Sequence, residues 1–153
     1  MQSCGVCHHH SDPEQRRGYE IGRDARWLLR HHPDPAPLPG WLLLDSVRHL
    51  GGPLEFTAQE AAEWGRVVQH GSQLVQQLSG CERVYAIAFG EGARHLHLHL
   101  IPRFAADPDT EAWRVADLYR AVTQGRAAAA DPAAVAALVG RGRPLWSHLR
   151  SQL

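Results

Sequence analysis

The run His95-Leu96-His97-Leu98-His99-Leu100-Ile101 constrains this chain more than any other stretch. Histidine and leucine alternate strictly, and a β-strand sends every second side chain to the same face, whereas a helix would scatter both sets. The spacing predicts a strand over residues 94–103, with three imidazoles on one face and the leucines and Ile101 packed into a core on the other. Co-facial imidazoles are raw material for metal ligation and for acid, base or nucleophilic chemistry. A metal site built from all three is disfavoured, because same-face neighbours stand about 6.5–7 Å apart along a strand and do not converge on one ion.

The rest of the chain frames that strand. A length of 153 residues fits one domain with a tail. Acidic and basic residues balance at sixteen each, so net charge recruits neither nucleic acid nor an anionic membrane. All sixteen basic residues are arginine, which excludes lysine Schiff-base and P-loop lysine chemistry. No apolar run approaches the ~20 residues of a membrane span, and the polar N-terminus lacks a signal-peptide apolar stretch. The expectation is a cytoplasmic protein. Three cysteines do not make a disulfide framework, and in a reducing compartment the Cys4-x-x-Cys7 pair reads as metal or redox chemistry.

Residues 1–12 hold Cys4, Cys7 and His8-His9-His10, and read as too short and polar for a regular element. Asp12-Pro13 predicts a helix over residues 13–17. Two strands, 19–21 and 26–31, follow around Gly22-Arg23-Asp24, and Pro33, Pro35, Pro37 and Pro39 keep the next segment extended. A strand is expected at 41–44, then a loop carrying Arg48 and His49. Thr57 and Glu60 form a capping box for a helix over 57–79, with an apolar stripe from Ala61 and Trp64 to Leu78 and a stop at Gly80. Residues 83–89 form the strand before a turn at 90–93 that leads into the histidines. Its glycines let backbone N–H groups approach an anion closely. Helices are expected from 109 or 110 to 122 and from 132 to 139, the second stopped by Gly140 before a tail holding Trp146. The order of elements gives an α+β domain with one mainly antiparallel sheet, covered by one long helix and followed by a helical C-terminal tail.

His95-Leu96-His97-Leu98-His99-Leu100-Ile101, followed by Pro102-Arg103, resembles the histidine triad motif at all seven positions. Pro39-Gly40-Trp41-Leu42-Leu43-Leu44, then Arg48-His49, Thr57 and Glu60, resemble the same family's upstream passage. The resemblance spans about residues 19–104, and with the N-terminal segment it implies a histidine triad domain over 1–104 carrying a helical extension over 105–153.

That resemblance implies a nucleotide hydrolase or transferase whose central histidine, His97, attacks an α-phosphate to give a covalent nucleotidyl-histidine, with His99 as a phosphate-contacting donor. Expected substrates are adenine-type dinucleoside polyphosphates or nucleoside phosphoramidates. Some bacterial members carry a structural zinc, whose ligands fall here on Cys4, Cys7, His49 and His95, with His8, His9 and His10 as competing imidazoles for the place of His49. Many members form homodimers. The chain departs from the family pattern where Trp41 replaces a common His, where Asp45 replaces a proline, and where the turn at 90–93 lacks Gln and Ser. Phosphate recognition then falls to the backbone of Gly92 and Ala93, Arg94 faces away by alternation, and Trp27 and Trp41 become candidate walls of a base pocket. A different reading of the same residues is a zinc-stabilised nucleotide-binding or scaffold protein with little or no turnover.

Overall fold

In the computed structural model, which describes residues 3–152, Asp12 separates two short helices. Its carboxylate accepts the Gln15 backbone N–H at 2.9 Å and caps α2 (Pro13–Tyr19), the expected helix, which runs two residues further. The segment expected to be irregular instead contains α1 (Gly5–Ser11), entered through Cys4, whose sulfur accepts the Cys7 N–H at 3.5 Å. Seven residues are too few for a helix to persist alone. The cysteine–histidine contacts described below hold it.

Five strands form one antiparallel sheet: β1 (Glu20–Arg23), β2 (Trp27–His31), β3 (Leu42–Ser46), β4 (Arg83–Ile87) and β5 (His97–Arg103), in the order β1-β2-β3-β5-β4. The Asp24 carboxylate accepts the N–H groups of Arg26 and Trp27, each at 2.8 Å, and so shapes the β1–β2 turn. His31 takes the Gly40 N–H on Nε2 at 2.9 Å, which ties the proline-rich segment back to β2. The triad strand starts at His97, three residues later than alternation suggests. Leu96 is nonetheless fixed, its N–H bonded to Leu50 O at 2.7 Å and its carbonyl accepting Ser46 N–H at 3.2 Å. That bend frees His95 to turn away from its two companions.

Helix α3 (Ala58–Ser79) has the capping box foreseen from Thr57 and Glu60, and Gly80 ends it at φ 70°. Val67, Gly71, Leu74, Val75 and Leu78 face the sheet, while Ala61 is exposed. A Cβ on Gly71 would lie 2.5 Å from Leu100 Cδ1, so the bare backbone there is what lets helix and strand meet. Residues 108–110 form a single 3₁₀ turn, so α4 (Val115–Thr123) begins later than expected. Helix α5 (Pro132–Ser151) runs through Gly140 and Pro144, which corrects the expected stop at Gly140 and puts Trp146 inside the helix. It packs on α3 and β1. Among the described residues no helix is long and apolar enough to cross a membrane.

The sheet therefore has two different faces. Leu29, Leu42, Leu44, Leu98 and Leu100 sit under α3 and α5 in the main apolar core, each such side chain contributing roughly 1.5–3 kcal/mol. The other face carries a smaller cluster of Trp41, Leu43, Ile101 and Val115, with Phe89 and Tyr119 against it. It is this second face that holds the chemistry.

Candidate active site and metal cluster

Across the ladder, His97 on β5 stands opposite Asp45 on β3, and His99 stands opposite Leu43. Both imidazoles lie on the face away from α3, with ring centroids 5.3 Å apart. Each is oriented by a different partner. His97 Nδ1 lies 2.6 Å from the His95 carbonyl oxygen, which only accepts, so Nδ1 carries the proton and Nε2 keeps its lone pair. His99 Nδ1 accepts the indole N–H of Trp41 at 2.9 Å, which leaves its hydrogen on Nε2. Burial, with the neighbouring His97 as the next contribution, pushes His99 down to about 3, so it is neutral at physiological pH and acts as a hydrogen-bond donor rather than as an acid.

His95 belongs to another constellation. Its Nε2–H donates to the Ser46 carbonyl at 2.7 Å, and its Nδ1 faces Cys4 Sγ at 3.6 Å and Cys7 Sγ at 3.4 Å. Cys7 Sγ also lies 3.4 Å from His49 Nδ1. The four ligand atoms are all within 4.8 Å of one another. A tetrahedral zinc with bonds of about 2.3 Å to sulfur and about 2.0 Å to nitrogen sets those atoms about 3.5 Å apart, close to the 3.4–3.6 Å of the three cysteine–histidine contacts, so the donor set suits such an ion once the wider pairs draw in. The loop that carries His49 is held by Arg48, which bonds Glu60 at 2.8 Å and the Glu55 carbonyl at 2.7 Å. That ion pair, with the Thr57 hydrogen bonds, holds the Glu60 carboxyl at about 2 although burial opposes it. Of the competing imidazoles, His8 is exposed, His9 bonds Gln15 at 2.8 Å and His10 bonds Asp45 at 2.8 Å.

A cleft of about 260 Å³ opens over His97 and His99. Gly92 and Ala93 line it, as do His9 from α1, considered in the sequence only as a competing metal ligand, and three residues not singled out there: Arg30 from β2, His32, and Tyr119 from α4. Arg94 instead lines a neighbouring cleft with Cys4 and His49. Burial lowers His32 to about 4 and, with the Arg30 charge behind it, also lowers His9. The two candidate base-pocket tryptophans are placed elsewhere. Trp27 is fully buried on the α3 face against Phe56 and Trp64, with its indole N–H on Glu63 at 3.1 Å, and takes no part in the cleft. Trp41 lies beneath His99 with no exposed surface, a support and not a wall. The signals for Arg30 and Asp45 were charged residues inside strands buried at every position, visible only once both faces of those strands are known to be covered; His32 follows directly on the first of these strands.

No family model matches the chain, and no curated protein matches it. Solved structures do. A hypothetical histidine triad nucleotide-binding protein from Sulfolobus tokodaii is 18% identical, with 98% of this chain and 96% of that one aligned at a TM-score of 0.69. A zinc-bound histidine triad family protein from Mycobacterium smegmatis is 16% identical over 99% and 98%, at 0.66. A HIT family hydrolase from Clostridium thermocellum is 18% identical over 71% and 96%, at 0.54. These likenesses define the class by architecture: the chain has the histidine triad fold, an α+β domain on a five-stranded antiparallel sheet.

Proposed function

We propose that this protein is a nucleotide hydrolase or transferase that attacks an α-phosphate through His97. The observation that carries the reading is the bond from His97 Nδ1 to the His95 carbonyl, which aims an unprotonated Nε2 from the triad strand at a cleft lined by anion-binding groups. In the first step Nε2 forms a bond to phosphorus as the bond from phosphorus to the leaving group breaks, and the leaving group departs with its electron pair, taking a proton from solvent. In the second step water attacks the same phosphorus and gives up a proton to solvent as the N–P bond breaks, which releases the nucleotide and returns the electron pair to Nε2. His99 Nε2–H and the backbone N–H groups of Gly92 and Ala93 contact the phosphoryl oxygens as they gain charge. The similar structures, among them a nucleotide-binding protein and a hydrolase, support the same direction, and adenine nucleotides are the first substrates to try.

Cys4, Cys7, His49 and His95 hold a structural zinc in this reading. Two thiolates and two imidazoles fill a tetrahedron and leave no open position, so the ion, when bound, supplies a cross-link between α1, the His49 loop and the triad. His95 then links metal and nucleophile, because its side chain binds the one and its carbonyl orients the other.

The test is incubation with a dinucleoside tetraphosphate followed by intact-mass measurement at neutral pH, where the acid-labile N–P bond survives. A nucleotidyl adduct on His97, with turnover reduced by about three to five orders of magnitude in His97→Asn, is the expected result. Near-wild-type turnover in His97→Asn overturns the mechanism, and neither adduct nor turnover across a nucleotide panel leaves a binding role only.

A further inference from the structure

Strand β2 is buried at all five positions, yet it contains Arg30. The Arg30 side chain is 5% exposed, and a guanidinium in such a place is costly unless its charge is met. Asp45, fully buried on β3, meets it, accepting Nε at 2.6 Å and Nη2 at 3.4 Å. His10 donates its Nε2–H to the same carboxylate at 2.8 Å. Burial opposes ionisation of Asp45, but the Arg30 charge and the hydrogen bonds from His10 and Arg30 outweigh it and hold the carboxyl at about 2. Asp45 is thus a fixed anion that holds Arg30 in one orientation and also receives His10 from α1.

A purely structural ion pair would employ the guanidinium fully. Here Nη1 bonds to nothing among the described residues. It is also not sealed in the core, since Ser46 Oγ is the one buried side-chain polar atom without a partner among those residues. Arg30 lines the cleft together with His97 and His99. In the ladder Arg30 stands opposite Leu43 and Leu43 opposite His99, so Arg30 and His99 are level with each other two strands apart, about 10 Å between backbones. That span lets Arg30 meet a phosphoryl group next to the one over His97 and His99.

We infer that Arg30 binds a second phosphoryl group joined to the one over His97, and that the cleft is therefore built for nucleoside di- and polyphosphates in preference to monophosphates or to phosphoramidates with an uncharged leaving group. The inference rests on the proposed reading of the cleft as a nucleotide site and names which of its substrates this chain favours. A guanidinium presents planar, paired N–H groups that match phosphate oxygens, and bonds between charged partners are the strong ones. Asp45 and His10 are positioning residues, which act on the ligand through Arg30.

Calorimetric titration of adenosine diphosphate and adenosine monophosphate into the full chain carrying His97→Asn, which prevents turnover, tests this directly. The diphosphate is expected to bind about 10- to 100-fold more tightly than the monophosphate. Adding Arg30→Met should reduce that ratio to about 3-fold or less while monophosphate affinity stays within about 2-fold. Because Arg30→Met alone leaves Asp45 buried without its main partner, Arg30→Met/Asp45→Asn provides a version with no orphaned charge, and it should show the same loss. No diphosphate preference in the parent protein, no binding of either nucleotide, or a preference that survives both Arg30 variants would each overturn the inference. The outcome is separable from the proposed reaction: an absent His97 adduct beside an Arg30-dependent preference sinks only the reaction, and a normal adduct without that preference sinks only the role of Arg30.

Discussion

The job of each histidine is decided at the nitrogen that does not do the work. His95 donates Nε2–H to Ser46 O and offers Nδ1 to the cysteines; His97 donates Nδ1–H to His95 O and offers Nε2 to the cleft; His99 accepts Trp41 on Nδ1 and presents Nε2–H. Alternation told that His97 and His99 share a face, because facing depends on local backbone period. Which nitrogen is used depends on Ser46 and Trp41, 49 and 58 residues away in the chain, and no local pattern encodes that. Trp41 shows the cost of this gap: an aromatic beside a nucleotide site suggests stacking, whereas its indole N–H sits on His99. Trp41→Phe keeps an aromatic ring in the same place but removes the donor, leaving His99 Nδ1 a buried acceptor without a partner, at a cost of about 1–3 kcal/mol. The expected outcome is kcat lowered about 10-fold or more, KM altered much less, and a changed ¹⁵N tautomer pattern for His99. An unchanged ¹⁵N pattern would show that Trp41 does not set the tautomer.

Helix α1 is the element whose structure and role were least legible. Its composition suggested ligands without structure, since seven residues rich in histidine have no helical stripe to read. It is held from outside, by Cys4 and Cys7 at the metal cluster and by His10 at Asp45. The same helix carries His9 into the cleft, so the cluster and the cleft share a wall. Stripping metal with a chelator, or Cys7→Ser, should raise hydrogen exchange in residues 5–11 by about 10-fold or more while α3 and the central strands stay protected. Uniform loss of protection would mean the cluster supports the whole fold, and no change would mean α1 does not depend on it. Helix α5 was misjudged for a different reason: Gly140 does not terminate it, and Gly142 two residues on is a contact point. Gly142 lies 3.5 Å, measured from a Cβ position, from both Ile21 and Leu78, and a Cβ on Gly22 of β1 would come within 2.4 Å of the Trp146 ring. Gly22→Ala should therefore displace Trp146 and cost about 1–3 kcal/mol in denaturant unfolding, and an unchanged midpoint would show that α5 docks by other contacts.

At the scale of the whole molecule, one sheet separates two kinds of interior. The α3 face is apolar and was readable from the periodicity of Leu98 and Leu100 and of the α3 stripe, because burying leucines needs only pattern. The other face buries imidazoles and an ion pair, which pattern alone makes look like a solvated surface. Burial holds His32 at about 4 and His99 at about 3, against about 6.5 for a free imidazole. The unfolded chain therefore takes up protons below pH ~6.5 that the folded chain refuses, and stability is lost as pH falls from there to about 4 and then about 3, with no contribution from these groups above pH ~6.5. Each such histidine adds up to about 1.4 kcal/mol per pH unit inside its window. Asp45, held at about 2, acts in a lower window, losing its contribution only as pH drops below ~4. Urea unfolding of metal-free protein from pH 7.5 to 4.5 isolates the imidazoles from metal release. The midpoint is expected to fall steadily below pH ~6.5, and His32→Gln should flatten that decline by removing one group that the folded state keeps neutral. A midpoint independent of pH, or an equal slope in His32→Gln, would mean that this face admits protonated histidines and does not keep the buried imidazoles neutral, as the reading of His99 as a hydrogen-bond donor requires.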